Sequence, residues 1–349
     1  MFTPKYTITN KILRAIGIVE AAKEVIDHAP LLPYFEKKFR DDALVRSAHY
    51  GTHLEGNELS LSEAEKVVMG QNIIARERDI QEVINYRTVI NFIDEWGIDI
   101  KIKKIITEDI VLQLHKLAIA KILPEEMSGV YRKTQVVIKN NQTGDVVFRP
   151  PLAMAISYQI VDLLEFINTE SDIHPVLKSG VVHYEFVRIH PFVDGNGRVA
   201  RAFSTLILFL EGYDIRQFFS LEEYFDTNAS RYYQSLQSVE QSAGDLTTWL
   251  EYFAEGLSIE LNKIKQRVEH VSADTKIKEK LGGKPLMLTE RQMKIVEYIR
   301  EVGYLQNQQF KSLFPMISED AVLLDIKALI QAGVIKKQGV TKGAKYVMV

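Results

Sequence analysis

The chain has 349 residues, 46% apolar and 26% charged, with a formal net charge of −3. That is the balance of a soluble globular protein of two or three domains, and its bulk charge lends nothing to nucleic-acid binding. Cysteine is absent, which excludes a disulfide framework, a thiolate metal site and a thiol nucleophile. No apolar run reaches the length of a membrane span, so a cytoplasmic protein without membrane contact is expected.

Residues 1–106 read as a helical region. Pro30 and Pro33 break the first pattern after Asp27-His28-Ala29. A second helix is expected from Asp41 to about Leu54, ending at Glu55-Gly56-Asn57, where Gly56 suits a left-handed cap. Ser60 and Glu63 have capping-box spacing and open another helix. His49 and His53 are four apart, as two imidazoles on one metal would be. However, Tyr50 stands where a metalloprotease carries its glutamate, and a pair without further ligands makes a poor site.

From Arg76 to Trp96 the pattern is helical, with Ile80, Val83 and Ile84 on one stripe. Thr107-Glu108-Asp109 caps the next helix, whose buried face is Val111, Leu114, His115 and Ala118, with His115 read as a core histidine. The period then changes. Val136-Val137-Ile138 and Val146-Val147-Phe148 flank the Asn/Gly-rich stretch 139–145, which predicts a hairpin that Pro150-Pro151 stops. It reads either as a connector or as a flap over a site.

Leu152 to Asn168 is helical, with Ile156, Ile160, Leu163, Leu164 and Ile167 on one face. Pro175 suits the first turn of a helix that runs to Ile189. The apolar run Val199–Leu210 reads as a buried helix ending at Gly212. Leu221 to Gly256 reads as two helices, holding Tyr232-Tyr233 and Trp249 in turn. A polar helix, Glu260 to Leu281, leads to the boundary Gly282-Gly283-Lys284-Pro285.

The tail has another grammar. Thr289 with Gln292 caps one helix, Gln306 to Phe314 makes a second, and Ser318 opens a third that ends at Gly333. Strands Val334–Lys337 and Lys345–Val349 complete a winged helix-turn-helix. Residues 284–349 carry ten Lys or Arg against six Asp or Glu. The expected recognition helix nevertheless begins Ser318-Glu319-Asp320 and carries Asp325, which would face DNA phosphates badly, while Lys336, Lys337, Lys342 and Lys345 gather on the wing. Protein recognition or a homodimer contact is expected of this tail, with DNA binding as the alternative.

The chemistry concentrates in His190-Pro191-Phe192-Val193-Asp194-Gly195-Asn196-Gly197-Arg198-Val199-Ala200-Arg201. Gly195, Asn196 and Gly197 directly precede a helix, whose free N–H groups attract anions. Arg198 and Arg201, three apart, share a face and can both reach a phosphate chain. Asp194 can hold Mg²⁺ between two phosphates, and His190 can take a proton from an incoming hydroxyl. Each has a structural alternative: a helix cap, a turn, an ion pair. Together, walled by apolar helices, they are hard to explain that way, because unpaired buried charge is costly. His183, seven residues before His190 and roughly 10 Å away along a helix, cannot share a metal with it and reads as core.

This run is similar to the signature of the Fic family at every defined position. The chain order also resembles that family, with a helical N-terminal region, a hairpin after Gly129-Val130-Tyr131-Arg132, the loop, and a winged helix. The resemblance implies a mainly α fold: a Fic-type helical core with a β-hairpin flap, and a C-terminal winged helix. It divides the chain into 1–106 (inhibitory helix about 41–56), 107–256 (flap 134–149, active-site loop 190–201), a helical linker 257–285, and 286–349.

It further implies a protein adenylyltransferase that uses ATP and Mg²⁺ to place AMP on a Ser, Thr or Tyr hydroxyl of a target protein, or of itself. His190 would be the base and Asp194 the metal ligand. Gly195, Asn196 and Gly197 would cradle the phosphates, Arg198 would neutralise their charge, and Phe192 would anchor the loop. Tyr232 and Tyr233 match positions near the nucleoside, and Val136, Val137 and Ile138 of the flap would hold the target segment as an added strand.

The family also carries an inhibitory helix with Ser or Thr four residues before a Glu-Gly or Glu-Asn end. Glu55-Gly56 fits that end, but Gly51 stands at the hydroxyl position. Glu55 would pair with Arg201 and block the γ-phosphate, the missing hydroxyl being absent or supplied by Thr52. Gly51 is expected to loosen the helix by about 1 kcal/mol relative to alanine. Removal of AMP, transfer of another phosphate-containing group, and a DNA-binding regulator remain as alternatives.

Overall fold

The computed structural model describes residues 2–31, 33–97, 105–139, 144, 146–169, 172–213, 215–280, 288–339 and 344–349. It divides into two compact units, Met1–Pro30 with Glu36–Glu269, and Leu31–Phe35 with His270–Val349.

Thr9 Oγ1 accepts the Ile12 N–H and starts α1 (Asn10–Asp27). The second helix, α2 (Pro33–His53), begins eight residues before the expected Asp41. The first pattern ends at Asp27 as expected, and Pro33 opens the next helix, because the first turn of a helix makes no use of the N–H that proline lacks. The Ser60–Glu63 capping box starts α3 (Leu61–Val68), and α4 (Glu77–Gly97) follows. Thr107 precedes α5 (Glu108–Ala118) but makes no side-chain cap, which leaves Glu108 and Asp109 at the positive helix end to favour the start.

The hairpin pairs β1 (Ile138–Lys139) with β2 (Val146–Phe148), Ile138 opposite Phe148. The first strand is shorter than expected, since Val136 and Val137 precede it. Of the expected turn, residues 140–143 and 145 lie outside the described residues.

Then come α6 (Ile156–Thr169), α7 (Pro175–Ile189), α8 (Asn196–Leu210), α9 (Leu221–Thr227), α10 (Ala229–Gln241) and α11 (Thr247–Lys280). Leu221 to Gly256 holds three helices where two were expected. Asn228 divides them, because its side chain accepts the Arg231 N–H at 3.0 Å and caps α10. The core is the pair α7 and α8, buried along almost their whole lengths, with α4 and α5 packed on α8. His183 lies inside it, its Nε2 2.9 Å from the Tyr232 hydroxyl. Leu257, Leu261, Ile264 and Val268 of α11 are buried too, so the first half of the stretch read as a linker belongs to this unit's core. The Gly282–Pro285 boundary lies outside the described residues.

The second unit holds α12 (Glu290–Val302), α13 (Phe310–Leu313), α14 (Glu319–Gln331) and the antiparallel pair β3 (Ile335–Gln338) and β4 (Lys345–Met348). They enclose a core that includes Ile295, Ile299, Phe310, Ile326, Leu329 and Tyr346. Asp325 does not face outward as expected. It is buried, bound by Arg291 and by Gln292 Nε2 at 3.2 Å. Lys342 lies outside the described residues.

Candidate active site

The loop between α7 and α8 is built from the backbone outward. His190 ends α7 in the left-handed region (φ 49°, ψ 60°), which strains a residue that has a Cβ. Two bonds hold it there: its N–H donates to the Phe186 carbonyl at 3.0 Å, and its own carbonyl accepts Arg132 Nε at 2.8 Å. Phe192 is fully buried, stacked on the His115 ring at 3.6 Å between centroids. The Asn196 amide closes on the backbone of Phe192 from both sides, accepting its N–H and donating to its carbonyl, each at 2.9 Å. Gly195 (φ 79°) turns the chain into α8.

The first bond of α8 runs from the Val199 N–H to the Gly195 carbonyl at 3.0 Å. The N–H groups of Asn196, Gly197 and Arg198 precede it and form the anion-attracting end of the helix. Asn196 can therefore offer a phosphate only its backbone, since its side chain is committed to Phe192.

A carboxylate already sits at this end. The turn after α2, where Gly56 adopts φ +95°, brings Glu55 Oε1 to 2.8 Å from Arg201 Nη2. A Cβ placed on Gly197 would meet that same oxygen at 2.0 Å. Arg201 Nη2 also donates to the Gly51 carbonyl at 2.7 Å. Burial opposes the Arg201 charge, but Glu55 and the nearby Tyr232 and Tyr86 hydroxyls hold its pKa above the ordinary arginine value.

Of the two alternatives for the missing hydroxyl of α2, the bond is left unmade. The Thr52 hydroxyl does not support Glu55; it donates to the Ala48 and His49 carbonyls of its own helix, at 2.8 and 3.0 Å. Nor is Gly51 a loose point, because the buried Tyr86 ring occupies its side-chain space, 2.7 Å from where a Cβ would stand. His53 Nδ1 is 2.8 Å from Asp226 Oδ1 rather than sharing a ligand with His49.

Asp194 lies at the loop's outer edge. Its Oδ1 accepts the Gly195 N–H at 2.6 Å and Arg198 Nη2 at 3.2 Å, and its Oδ2 accepts Arg78 Nη2 at 3.0 Å. Burial pushes its carboxyl upward, but Arg198, the Gly195 N–H and Arg78 outweigh this and hold it below the usual range. Arg198 is buried between Asp194 and Glu82, which is 3.4 Å away.

His190 has its pKa pushed down to about 4 by burial, partly offset by the Val187 carbonyl and the Glu55 charge. At neutral pH it is an uncharged imidazole, the form a base requires. Its Nδ1 is buried, which leaves Nε2 as the nitrogen facing the cleft that His190 lines. That cleft has a volume of about 710 Å³, and His190, Glu55, Gly197 and Arg201 line it together with Ile138, Val147 and Phe148 of the hairpin. Of the flap residues expected to hold a target, Ile138 reaches the cleft; Val136 and Val137 do not line it. Tyr232 is buried in the cleft wall, its hydroxyl on His183, while Tyr233 is 43% exposed and offers the more accessible ring.

Sequence reasoning named Arg132 and His115 but missed that they hold this loop from afar. Arg132 donates to the carbonyls of His190, Thr134 and Pro151 at 2.8, 3.0 and 2.7 Å, and its N–H donates to Pro191 at 2.9 Å. One buried guanidinium thus ties both ends of the flap to the loop. His115 is more than core: Nδ1 accepts the Gly129 N–H at 3.0 Å, and Nε2 lies 3.1 Å from the Asp194 carbonyl. Burial, with Arg198 nearby, lowers its pKa to about 4, against the Asp194 carbonyl and charge.

Residues 105–208 match the model of the Fic/DOC family. A protein adenylyltransferase, fic-1 of Caenorhabditis elegans, is 26% identical over 251 residues, 71% of this chain and 45% of that one. The protein adenylyltransferase Fic of Drosophila virilis is 27% identical over 188 residues, 51% and 35% of the two. This chain therefore spans less than half the length of the curated relatives it matches. A crystal structure of a Fic family protein from Desulfovibrio desulfuricans G20 has a TM-score of 0.67 and 22% identity, covering 100% of this chain and 98% of that one. That likeness is one of fold.

Proposed function

We propose that this chain, whose residues 105–208 form a Fic/DOC family domain, is a protein adenylyltransferase held off by its own Glu55. The observation that carries the reading is a neutral imidazole beside the start of α8, where the Glu55 carboxylate lies against Gly197 and bonds to Arg201.

ATP is the donor and a Ser, Thr or Tyr hydroxyl of a protein, or of this chain itself, the acceptor. Polyphosphate settles on the N–H groups of Asn196, Gly197 and Arg198 and on Arg201 once Glu55 has left. Arg198, buried and fixed, stabilises the charge that grows on the departing pyrophosphate. His190 Nε2 takes the hydroxyl proton as the oxygen bonds to the α-phosphorus and the bond to pyrophosphate breaks. Tyr233 and Tyr232 border the nucleoside, and the free edge of the two-stranded hairpin offers the target a strand to pair with.

The residues present fit Mg²⁺. Asp194 is held ionised at the edge of the phosphate site. One carboxylate with nucleotide phosphates is the usual way a protein holds this ion. Bound there, the cation neutralises phosphate charge. DNA binding by the second unit is disfavoured, since Glu319 and Asp320 are exposed at the start of α14.

Intact mass spectrometry of wild type and Glu55→Gly, incubated with ATP and Mg²⁺, tests the proposal. Glu55→Gly should gain one AMP about ten- to 150-fold faster, the range expected when a charge-assisted hydrogen bond of about 1.5–3 kcal/mol no longer competes. Adding His190→Ala should remove the label. Equal labelling of wild type and Glu55→Gly would sink the inhibitory role.

A further inference from the structure

Arg78 is a residue of this site that the reaction above does not use. It stands in the first turn of α4 with 56% of its side chain exposed, Nε on Glu82 and Nη2 on Asp194 Oδ2, both at 3.0 Å. Asp194 Oδ1 already serves the Gly195 N–H and Arg198, so Oδ2 is the oxygen a cation would take. Arg198, 2% exposed and fixed by Glu82 and Asp194, has no room to yield. Arg78 can swing into solvent. A carboxylate thus stands on the phosphate side of the site and a guanidinium on the cation side. Asn57, two residues after Glu55, ties the two suppliers together by donating to the Asp79 carbonyl and to Glu82, both at 3.0 Å.

We infer that Arg78 is a positioning residue that holds Asp194 in place of the divalent cation and so sets the cation concentration at which nucleotide is taken up. This rests on Asp194 being the cation's ligand. Glu55 and Arg78 then form a charge-matched substitute for phosphate and metal, and both leave when those arrive.

The test is equilibrium binding of a fluorescent, non-hydrolysable ATP analogue to Glu55→Gly protein, titrated with Mg²⁺. Arg78→Ala in that background should lower the Mg²⁺ concentration for half-maximal tightening by about two- to fivefold, the range open to a half-exposed ion pair. Arg78→Gln, which keeps the stem and a donor but not the charge, should move it the same way. Asp194→Asn should abolish the Mg²⁺ dependence. An unchanged midpoint in both Arg78 variants, with the dependence lost in Asp194→Asn, overturns the inference and leaves Asp194 as ligand. An unchanged dependence in Asp194→Asn overturns both.

Discussion

The loop of residues 190–201 and the turn that carries Glu55 meet at Arg201, and they are held in opposite ways. Every bend of the loop is fixed by a buried partner: Asn196 on both backbone groups of Phe192, His115 on Asp194, Arg132 on His190 and Pro191. Glu55 reaches across through one carboxylate oxygen, with a third of its side chain in solvent. The difference separates a scaffold from a plug. Removing a loop contact strands buried carbonyls, whereas removing Glu55 strands only the Arg201 charge at a place built to receive anions.

The strongest way to break that contrast is Arg132→Ala. It removes three charge-assisted hydrogen bonds and leaves the carbonyls of His190, Thr134 and Pro151 without this donor. A loss of about 3 kcal/mol or more is expected in urea unfolding, with AMP transfer lost as well. Glu55→Gly should cost less, about 1.5–3 kcal/mol, because it takes one charge-assisted bond from the buried Arg201, whose Nη2 keeps the Gly51 carbonyl. Equal destabilisation by the two would mean that the turn is part of the scaffold after all.

How much of this was legible beforehand follows the same division. The loop announced itself because His190, Asp194, the glycines and both arginines lie within twelve contiguous residues, although α8 begins at Asn196, so that Asn196 and Gly197, expected to precede the helix, form its first turn. Gly56 marked the end of α2 by its left-handed turn, while the role of Glu55 came only from the resemblance to the Fic family. The supports were not legible. Arg132 and His115 act on backbone carbonyls and N–H groups, which leave no side-chain pattern to read, and they come from elements 58 and 79 positions away from their targets. A clue did exist: Arg132 is a cation directly before the hairpin and has no acid near it in sequence. Arg78 and Glu82 were hidden by their own helix, where an i,i+4 Arg–Glu pair looks like an ordinary solvated contact. Asp325 misled in the other direction, since its partner Arg291 sits on another helix.

Acid should loosen the scaffold. His115 and His190 have folded-state pKa values near 4, below the ordinary value of 6.5. Below pH 6.5 the unfolded chain therefore binds protons that the folded chain does not. The stability these groups contribute is complete above pH 6.5 and is lost as pH falls toward 4. At pH 5 the loss is about 2 kcal/mol for each. His183, at about 3, extends the window downward. Melting temperature followed from pH 7.5 to 4.5 should fall steadily below pH 6.5, and less steeply in His115→Gln, which cannot take up the extra proton when unfolded. An identical slope in that variant would remove His115 from the account.

The smallest effect tests the join between the two regions. Gly51→Ala sets two terms against each other: alanine gains about 1 kcal/mol as a better helix former, but its Cβ must displace Tyr86, and overpacking of that kind costs about 1–3 kcal/mol. Tyr86 is fully buried and its hydroxyl donates to Glu222 at 2.8 Å, so the ring cannot back away freely. A net loss of up to about 2 kcal/mol is expected. The displaced backbone also carries the carbonyl that holds Arg201 beside Glu55, so AMP labelling should rise several-fold even though Glu55 is untouched. A higher melting temperature with lower labelling would mean the reverse: that α2 is slack at Gly51, as its sequence alone implies, and that Tyr86 yields to the methyl group.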